Sequence, residues 1–382
     1  MFTLLASLVF AATSLTAALQ ADLSQYLEQR AQPEHISAIS LSVYIPGSSS
    51  NLNVAVGRTQ YGAGVPVTSA SLYQIGSNTK SFTAAAILQL EAEGKLSIDD
   101  TVGKWLPDYP AWKDITIRRL LNMTSDIPTY DDMRSMLAAY AADPTRNWPK
   151  RRLVDVVYPK IMPGAGWLYS NTAYILSEMI VERASNNSYA DEIRRRFIDN
   201  PAIGLTATYY EPHLYPASVT DRMVSGYFFS TDADNDGLQP LYGKDVRDFS
   251  LSWAQGAGGI VSTAQDVTRW CRALYGGVVL KPQQQRELET LVSVESGKPI
   301  ETTTAQNSRG FGLGVGEMLM RKLGRIWFYE GMTLGYRMAY AYFPHSHAVI
   351  AIGLNSQPDK KQDDIGKLMS TVYDRLHAAH KL

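Results

Sequence analysis

The chain has 382 residues, 45% of them hydrophobic and 19% charged, with a formal net charge of -1. That composition builds a sizeable core and excludes a disordered chain. It supplies no basic block and no global field toward nucleic acid or an anionic membrane, so function has to reside in a local site.

Met1 to about Ala21 reads as an export leader. Leu4 to Ala12 is its apolar core, small residues follow around Thr16 to Ala18, and cleavage is expected after Ala18 or Ala21. The basic residue usual at the start of a leader is missing from Met1-Phe2-Thr3, so a plain N-terminal helix is the alternative. No other stretch reaches the roughly 18 to 20 apolar residues that span a bilayer. The expectation is therefore a leader over residues 1–21 and a mature hydrolase domain over 22–382. That domain is expected without a membrane span, secreted or periplasmic. Cys271 is the single cysteine, in a helical stretch, and reads as a buried, inert thiol.

Leu23 to Gln32 predicts a helix, Ile36 to Ile45 a strand ended by Pro46-Gly47, and Leu52 to Gly57 a second strand. Ser81 to Glu93 is apolar almost all round, which requires a central, buried helix. Residues of about 115–242 read as helices and loops. Phe311 to Leu319, Ile326 to Gly331, Tyr336 to Phe343 and Ala348 to Asn355 predict an antiparallel meander, closed by an amphipathic helix from Asp364 to His380. Strands at both ends with helices between them give an α+β fold: an antiparallel sheet flanked by helices, with a largely helical second region.

Three segments carry chemistry. In Tyr73-Gln-Ile-Gly-Ser-Asn-Thr-Lys80, Ser77 and Lys80 are spaced to share a helix face. A serine hydroxyl needs a base to take its proton as it attacks. Lysine serves only when neutral, so its pKa must fall from about 10.4 toward neutrality, at a cost of about 4 kcal/mol. Burial pushes it that way, and a helix N-terminus disfavours the ammonium. Taken alone, the pattern reads more simply as a helix cap with a solvated lysine. The second segment, Pro163 to Thr172, holds Tyr169 and Asn171 after a glycine-rich loop. Tyrosine can relay a proton if a neighbouring ammonium lowers its pKa, and asparagine can orient an amine or a substrate amide. The third, Tyr329-Glu-Gly-Met-Thr-Leu-Gly335, lies in the meander. Its glycines let a backbone approach a ligand, and Met332 can offer an N–H to an oxyanion.

In this order the three segments resemble the serine β-lactamase/DD-peptidase superfamily. The nearest branch is that of class C β-lactamases and D-alanyl-D-alanine carboxypeptidases, with its esterase and D-aminopeptidase relatives. The resemblance extends over about residues 25–380, with further matches in Gly94 to Asp100, Leu120 to Pro128 and Gly258 to Ala264. It implies Ser77 as nucleophile, Lys80 as base, Tyr169 as proton relay and Asn171 as orienter. It also implies the N–H groups of Ser77 and Met332 as the oxyanion hole.

There are departures. Where the family has Lys-Thr-Gly or His-Thr-Gly, this chain has Tyr329-Glu330-Gly331, and Asp126 stands where the family has glycine. A glutamate in the pocket would repel a substrate carboxylate and favour neutral or amine-bearing substrates. The alternative is that Glu330 pairs with Arg337 or Lys322 outside the pocket. The expected function is hydrolysis, through an acyl-enzyme on Ser77, of peptidoglycan-type D-amino acid peptides or small esters and amides. A β-lactamase and a non-catalytic binding protein that keeps the fold are the alternatives. The partner is a small-molecule or peptide substrate; no metal, cofactor or nucleic acid is expected. Asp232 to Gly237 begins like a calcium loop but lacks its closing glutamate, and His345-x-His347 reads as a surface turn.

Overall fold

In the computed structural model the backbone is described for residues 2–382 and the side chains from Leu15 onward. Met1 and most side chains of the expected leader lie outside the described residues. Helix α1 runs from Phe2 to Arg30. Its described part lays Leu15, Leu19, Leu23 and Tyr26 against the sheet, all buried.

The N-terminal strands are β1 (Ala38–Tyr44), β2 (Leu52–Gln60) and β3 (Ala63–Pro66). The C-terminal strands are β4 (Leu291–Ser293), β5 (Pro299–Ile300), β6 (Arg309–Phe311), β7 (Gly316–Met320), β8 (Gly324–Thr333), β9 (Tyr336–Phe343) and β10 (Ala348–Leu354). They form one 10-stranded antiparallel sheet in the order β3-β2-β1-β10-β9-β8-β7-β6-β4-β5. The two termini meet at β1 and β10, in register from Ile39↔Leu354 to Tyr44↔Val349. The sheet is thus assembled from both ends of the chain, as the strand pattern implies.

One strand expectation needs correcting. Phe311 to Leu319 is two strands, folded back so that Gly316 pairs with Phe311. Gly314, at φ +75°, reverses the chain between them.

Side chains alternate across the pleat, so each strand serves two cores. Ile326, Ala339, Ala341, Ile350 and Ile352 face α1 and α7 (Ile365–Ala378), which supplies Leu368, Met369 and Val372. Trp327, Met338, Tyr340, Tyr342 and Val349 face the other core. That core holds α2 (Thr79–Ala92), α3 (Lys150–Asp155), α4 (Asn171–Ser185), α5 (Gln255–Gly258) and α6 (Ala264–Tyr275). Helix α2 is buried from Thr79 through Leu88, as its all-round apolarity requires, and packs on α4 and α5. Among the described residues no helix is long and apolar enough to cross a membrane.

Candidate active site

Ser77 sits in a single turn, Gly76–Asn78, at the entry to α2. Two glycines press that turn against β8. Gly76 has φ +52°, and a Cβ there would lie 2.6 Å from the Met332 nitrogen. A Cβ on Gly331 would lie 2.0 Å from the Ile75 oxygen. The glycine of the third motif therefore makes room for the protein's own backbone, where the sequence pointed to a ligand. The Asn78 amide staples the contact, donating to the carbonyls of Ile75 at 3.0 Å and Met338 at 2.7 Å. The result is a Ser77 hydroxyl beside Met332, with both residues lining the same two cavities.

Lys80, one helical turn on, is 0% exposed. Its Nζ lies 3.0 Å from Ser77 Oγ, 2.6 Å from Asn171 Oδ1 and 2.7 Å from the Ala257 carbonyl oxygen. Burial lowers its pKa from the usual lysine value to about 7, with Asp131 pulling the other way. Tyr169 Oη is 2.5 Å from Ser77 Oγ. Burial pushes this phenol up to about 12, while its contacts with Ser77 and Tyr329 draw it part of the way back. The lowering expected from a neighbouring ammonium is not found, because burial outweighs it, so the phenol keeps its proton at neutral pH and can donate it.

Asn171 is the first residue of α4, whose start is capped by Ser170 accepting from the Ala173 N–H at 3.2 Å. The Asn171 Nδ2 donates to Asp131 Oδ2 at 2.7 Å, and Thr129 donates to the other Asp131 oxygen. Ser77, Lys80, Tyr169 and Asn171, drawn from sequence positions up to 94 apart, form one hydrogen-bonded set.

Two cavities meet at Ser77. One, of about 270 Å³, is lined by Thr129, Asp131, Asp132, Asn171, Asp234, Trp253 and Thr333. Its chemistry is acidic. Asp131 is committed to Asn171 and Thr129, and Asp234 pairs with Lys360 at 2.6 Å. Among the described residues Asp132 has no such partner, and burial beside Asp131 and Asp234 raises its carboxyl pKa. The other cavity, of about 480 Å³, is apolar and aromatic: Trp167, Val294, Phe311, Phe328 and Tyr329. Beyond Glu317↔Trp327 the pairing of β7 with β8 stops, which opens this cavity along the β8 edge.

Tyr329 and Glu330 are neighbours in β8 and therefore point to opposite faces. Tyr329 is packed beside Phe311, with ring centroids 5.9 Å apart, on the Ser77 side. Glu330 shares the face of Arg337 and is also among the residues lining the apolar cavity. Burial and the carboxylates of Asp363 and Glu34 hold its carboxyl well above the usual range, and Arg337 offsets part of this. Arg337 itself binds Glu34 at 2.8 Å and Asp363 at 2.6 Å. Of the two readings of Glu330, its charge environment is that of the alternative, the ionic cluster around Arg337 behind the strand, although the residue also borders the apolar cavity. Lys322 pairs elsewhere, with Asp374. At the Asp126 departure the backbone adopts φ +59°, the conformation glycine favours, and Arg119 contacts the carboxylate at 3.3 Å.

Sequence reasoning missed Asp131, Asp132 and Ala257. Asp131 and Asp132 look like ordinary loop acids, and Ala257 acts through its backbone, which leaves no side-chain signal. Among the described residues there is no cluster of metal-ligating side chains.

Comparison with known proteins identifies the family. The family model described as Beta-lactamase matches residues 23–370. Penicillin-binding protein 4* of Bacillus subtilis (strain 168) is 30% identical over 310 residues, which is 78% of this chain and 64% of that protein. Protein flp of Staphylococcus aureus (strain N315) is 31% identical over 192 residues, 49% of this chain and 38% of the relative. The chain therefore spans under two thirds of the length of these relatives. Among solved structures, a D-stereospecific amidohydrolase from Streptomyces sp. superimposes with a TM-score of 0.73 at 25% identity, covering 90% of this chain and 96% of that one. The D-amino acid amidase of Ochrobactrum anthropi SV3, complexed with L-phenylalanine amide, gives a TM-score of 0.78 at 21% identity, covering 96% and 99%. Fold, motif order and matched span lead to one conclusion: this chain belongs to the beta-lactamase family, within the serine β-lactamase/DD-peptidase superfamily of serine hydrolases.

Proposed function

We propose that the protein hydrolyses amides or esters of amine-bearing acyl groups, of the D-amino acid type, through an acyl-enzyme on Ser77. The observation that carries this reading is the set of three partners around the Lys80 amine. A neutral amine has two N–H bonds and one lone pair. Asn171 Oδ1 and the Ala257 carbonyl can only accept, so they take the two N–H bonds. The lone pair is left for the one partner that can donate, the Ser77 hydroxyl at 3.0 Å. Ser77 then attacks the substrate carbonyl as its proton moves to Lys80. The neutral phenol of Tyr169, 2.5 Å from Ser77 Oγ, is the group that protonates the leaving nitrogen or oxygen. The N–H groups of Ser77 and Met332 receive the developing oxyanion. Water releases the acyl group by the reverse path.

The preference for an amine follows from charge. The acidic cavity at Ser77 holds Asp131, Asp132 and Asp234, and the cation usual in the third motif is replaced by Tyr329. An ammonium is attracted there and a carboxylate repelled. The solved structures of similar fold include a D-amino acid amidase and a D-stereospecific amidohydrolase, which supports this substrate class. Dedicated β-lactamase activity is disfavoured by the same charge argument.

A panel of D-amino acid amide, p-nitrophenyl ester, D-Ala-D-Ala peptide and penicillin, run on wild type and on Asp132→Asn, tests the reading. The amide and ester are expected to turn over, and Asp132→Asn to raise KM for the amine-bearing amide about tenfold, or about 1.4 kcal/mol, with little effect on the neutral ester. Faster turnover of penicillin than of the amide would refute it.

Export belongs to the same proposal. Cleavage after Ala18 retains Leu19, which is fully buried against the sheet, whereas cleavage after Ala21 removes it. N-terminal sequencing of the exported protein is expected to begin at Leu19; a protein retained uncut in the cytoplasm would contradict export.

A further inference from the structure

We infer that Glu178 is a positioning residue for Lys80, acting through the Gly256–Ala257 peptide; the inference rests on the acyl-transfer reading above. One of the two acceptors that orient the Lys80 amine is the Ala257 carbonyl, 2.7 Å away. That carbonyl belongs to α5, a helix of four residues. A single turn has no stability of its own, and this one begins at Gln255, a non-glycine residue at φ +39°. Something outside it has to fix the carbonyl.

Two buried side chains do so. Glu178 Oε2, from α4, accepts the Gly256 N–H at 2.7 Å. Thr83 Oγ1, from α2, donates to the Gly256 oxygen at 2.6 Å. The Gly256 oxygen is the carbonyl of the peptide whose nitrogen belongs to Ala257, so the segment is gripped on both sides immediately before the atom that Lys80 uses. The fit is close, since a Cβ on Gly256 would lie 2.9 Å from Glu178 Oε2.

A carboxylate on this buried stretch of α4 is costly. Glu178 is 1% exposed, and burial raises its pKa to about 7. The groups that face it are Lys150 from α3 at 3.3 Å, the Tyr210 hydroxyl at 3.2 Å, and Glu182 and Tyr189 nearby. An apolar residue here would avoid the desolvation cost. What it could not supply is an acceptor for the Gly256 N–H. The hydrogen bond, rather than the charge, is the property the site uses.

Steady-state hydrolysis of a p-nitrophenyl ester by wild type, Glu178→Ala and Glu178→Gln tests this, with thermal unfolding run in parallel. Glu178→Ala is expected to lower kcat about 10- to 100-fold, the effect of a misplaced catalytic group, with KM within about twofold. Glu178→Gln keeps the acceptor and is expected to stay within about threefold of wild type. A general structural defect would not be rescued in this way. A folded Glu178→Ala with wild-type kcat overturns the inference, as does a Glu178→Gln that falls as far as Glu178→Ala. Should Glu178→Ala not fold, Gly256→Ala disturbs the same contact from the other side. A folded Gly256→Ala is expected to lose kcat at unchanged KM, and wild-type kcat there overturns the inference equally. Absence of ester hydrolysis in wild type would instead sink the acyl-transfer reading, and this inference with it.

Discussion

Asp131 accepts the Asn171 amide N–H at 2.7 Å, and this bond decides which end of the asparagine faces Lys80. A carboxylate only accepts, so the nitrogen of Asn171 must turn toward it and the oxygen toward the lysine. Reversed, the amide would present N–H to N–H, and the lone pair of Lys80 would lose its direction toward Ser77.

Asp131→Asn is therefore expected to lower the acylation rate about tenfold or more, because either amide orientation becomes possible. It should also shift the acid limb of the pH profile. The Asp131 charge raises the Lys80 pKa against the effect of burial. Its removal lowers that pKa further, so the acid limb moves below its wild-type position. Stopped-flow release of p-nitrophenolate across pH reads both effects; an acid limb displaced upward would contradict the assignment.

The wild-type profile has a definite sign. Lys80 acts as a base only when deprotonated, and its pKa lies at about 7. Acylation should rise with pH through that value and level off above it. Lys80→Met should lose about 10²- to 10⁴-fold in rate, the usual contribution of a positioned base. A rate independent of pH between 5 and 9 would exclude Lys80 as the base.

Glu330 makes a prediction about stability. Its carboxyl titrates at about 8 in the folded chain, against an ordinary value of 4.5, because it is buried beside Asp363 and Glu34. The folded state thus holds a proton that the unfolded state has released between these two values, and stability falls as pH rises across that window. Glu330→Gln carries no such proton, so it should unfold at a higher temperature than wild type at pH 8.5, by roughly 2 to 4 °C, and the gap should narrow at pH 5. Thermal melts at the two pH values measure this. A larger advantage at pH 5 would reverse the sign and refute the assignment of Glu330 as the protonated member of the cluster.

The catalytic set was legible in the sequence because its side chains sit in short local patterns at helix starts. Ser77 and Lys80 lie one turn apart at the entry to α2, and Tyr169 and Asn171 flank the entry to α4. The meander was legible because both faces of β9 and β10 are buried, which gives continuous apolar runs. What escaped depends on contacts between distant segments. Asp131 becomes functional only because Thr129 and Asn171 meet it, and Glu178 only because α5 lies against α4. The sequence left Glu330 open between the pocket and an ion pair with Arg337, because only strand alternation decides that it turns from Tyr329 toward Arg337 and an acidic cluster drawn from the turn after α1 and the segment before α7. The short strands β4 and β5, with three and two residues, carry too little periodicity to be read.

The central claim is that the hydroxyl of Ser77 becomes covalently acylated. Intact-protein mass spectrometry, on samples quenched in acid within seconds of adding a p-nitrophenyl ester, tests it directly. Wild type should gain the mass of one acyl group, mapped by peptide digestion to Ser77, and Ser77→Ala should gain none. An adduct on another residue, or ester hydrolysis at the wild-type rate by Ser77→Ala, would contradict the account.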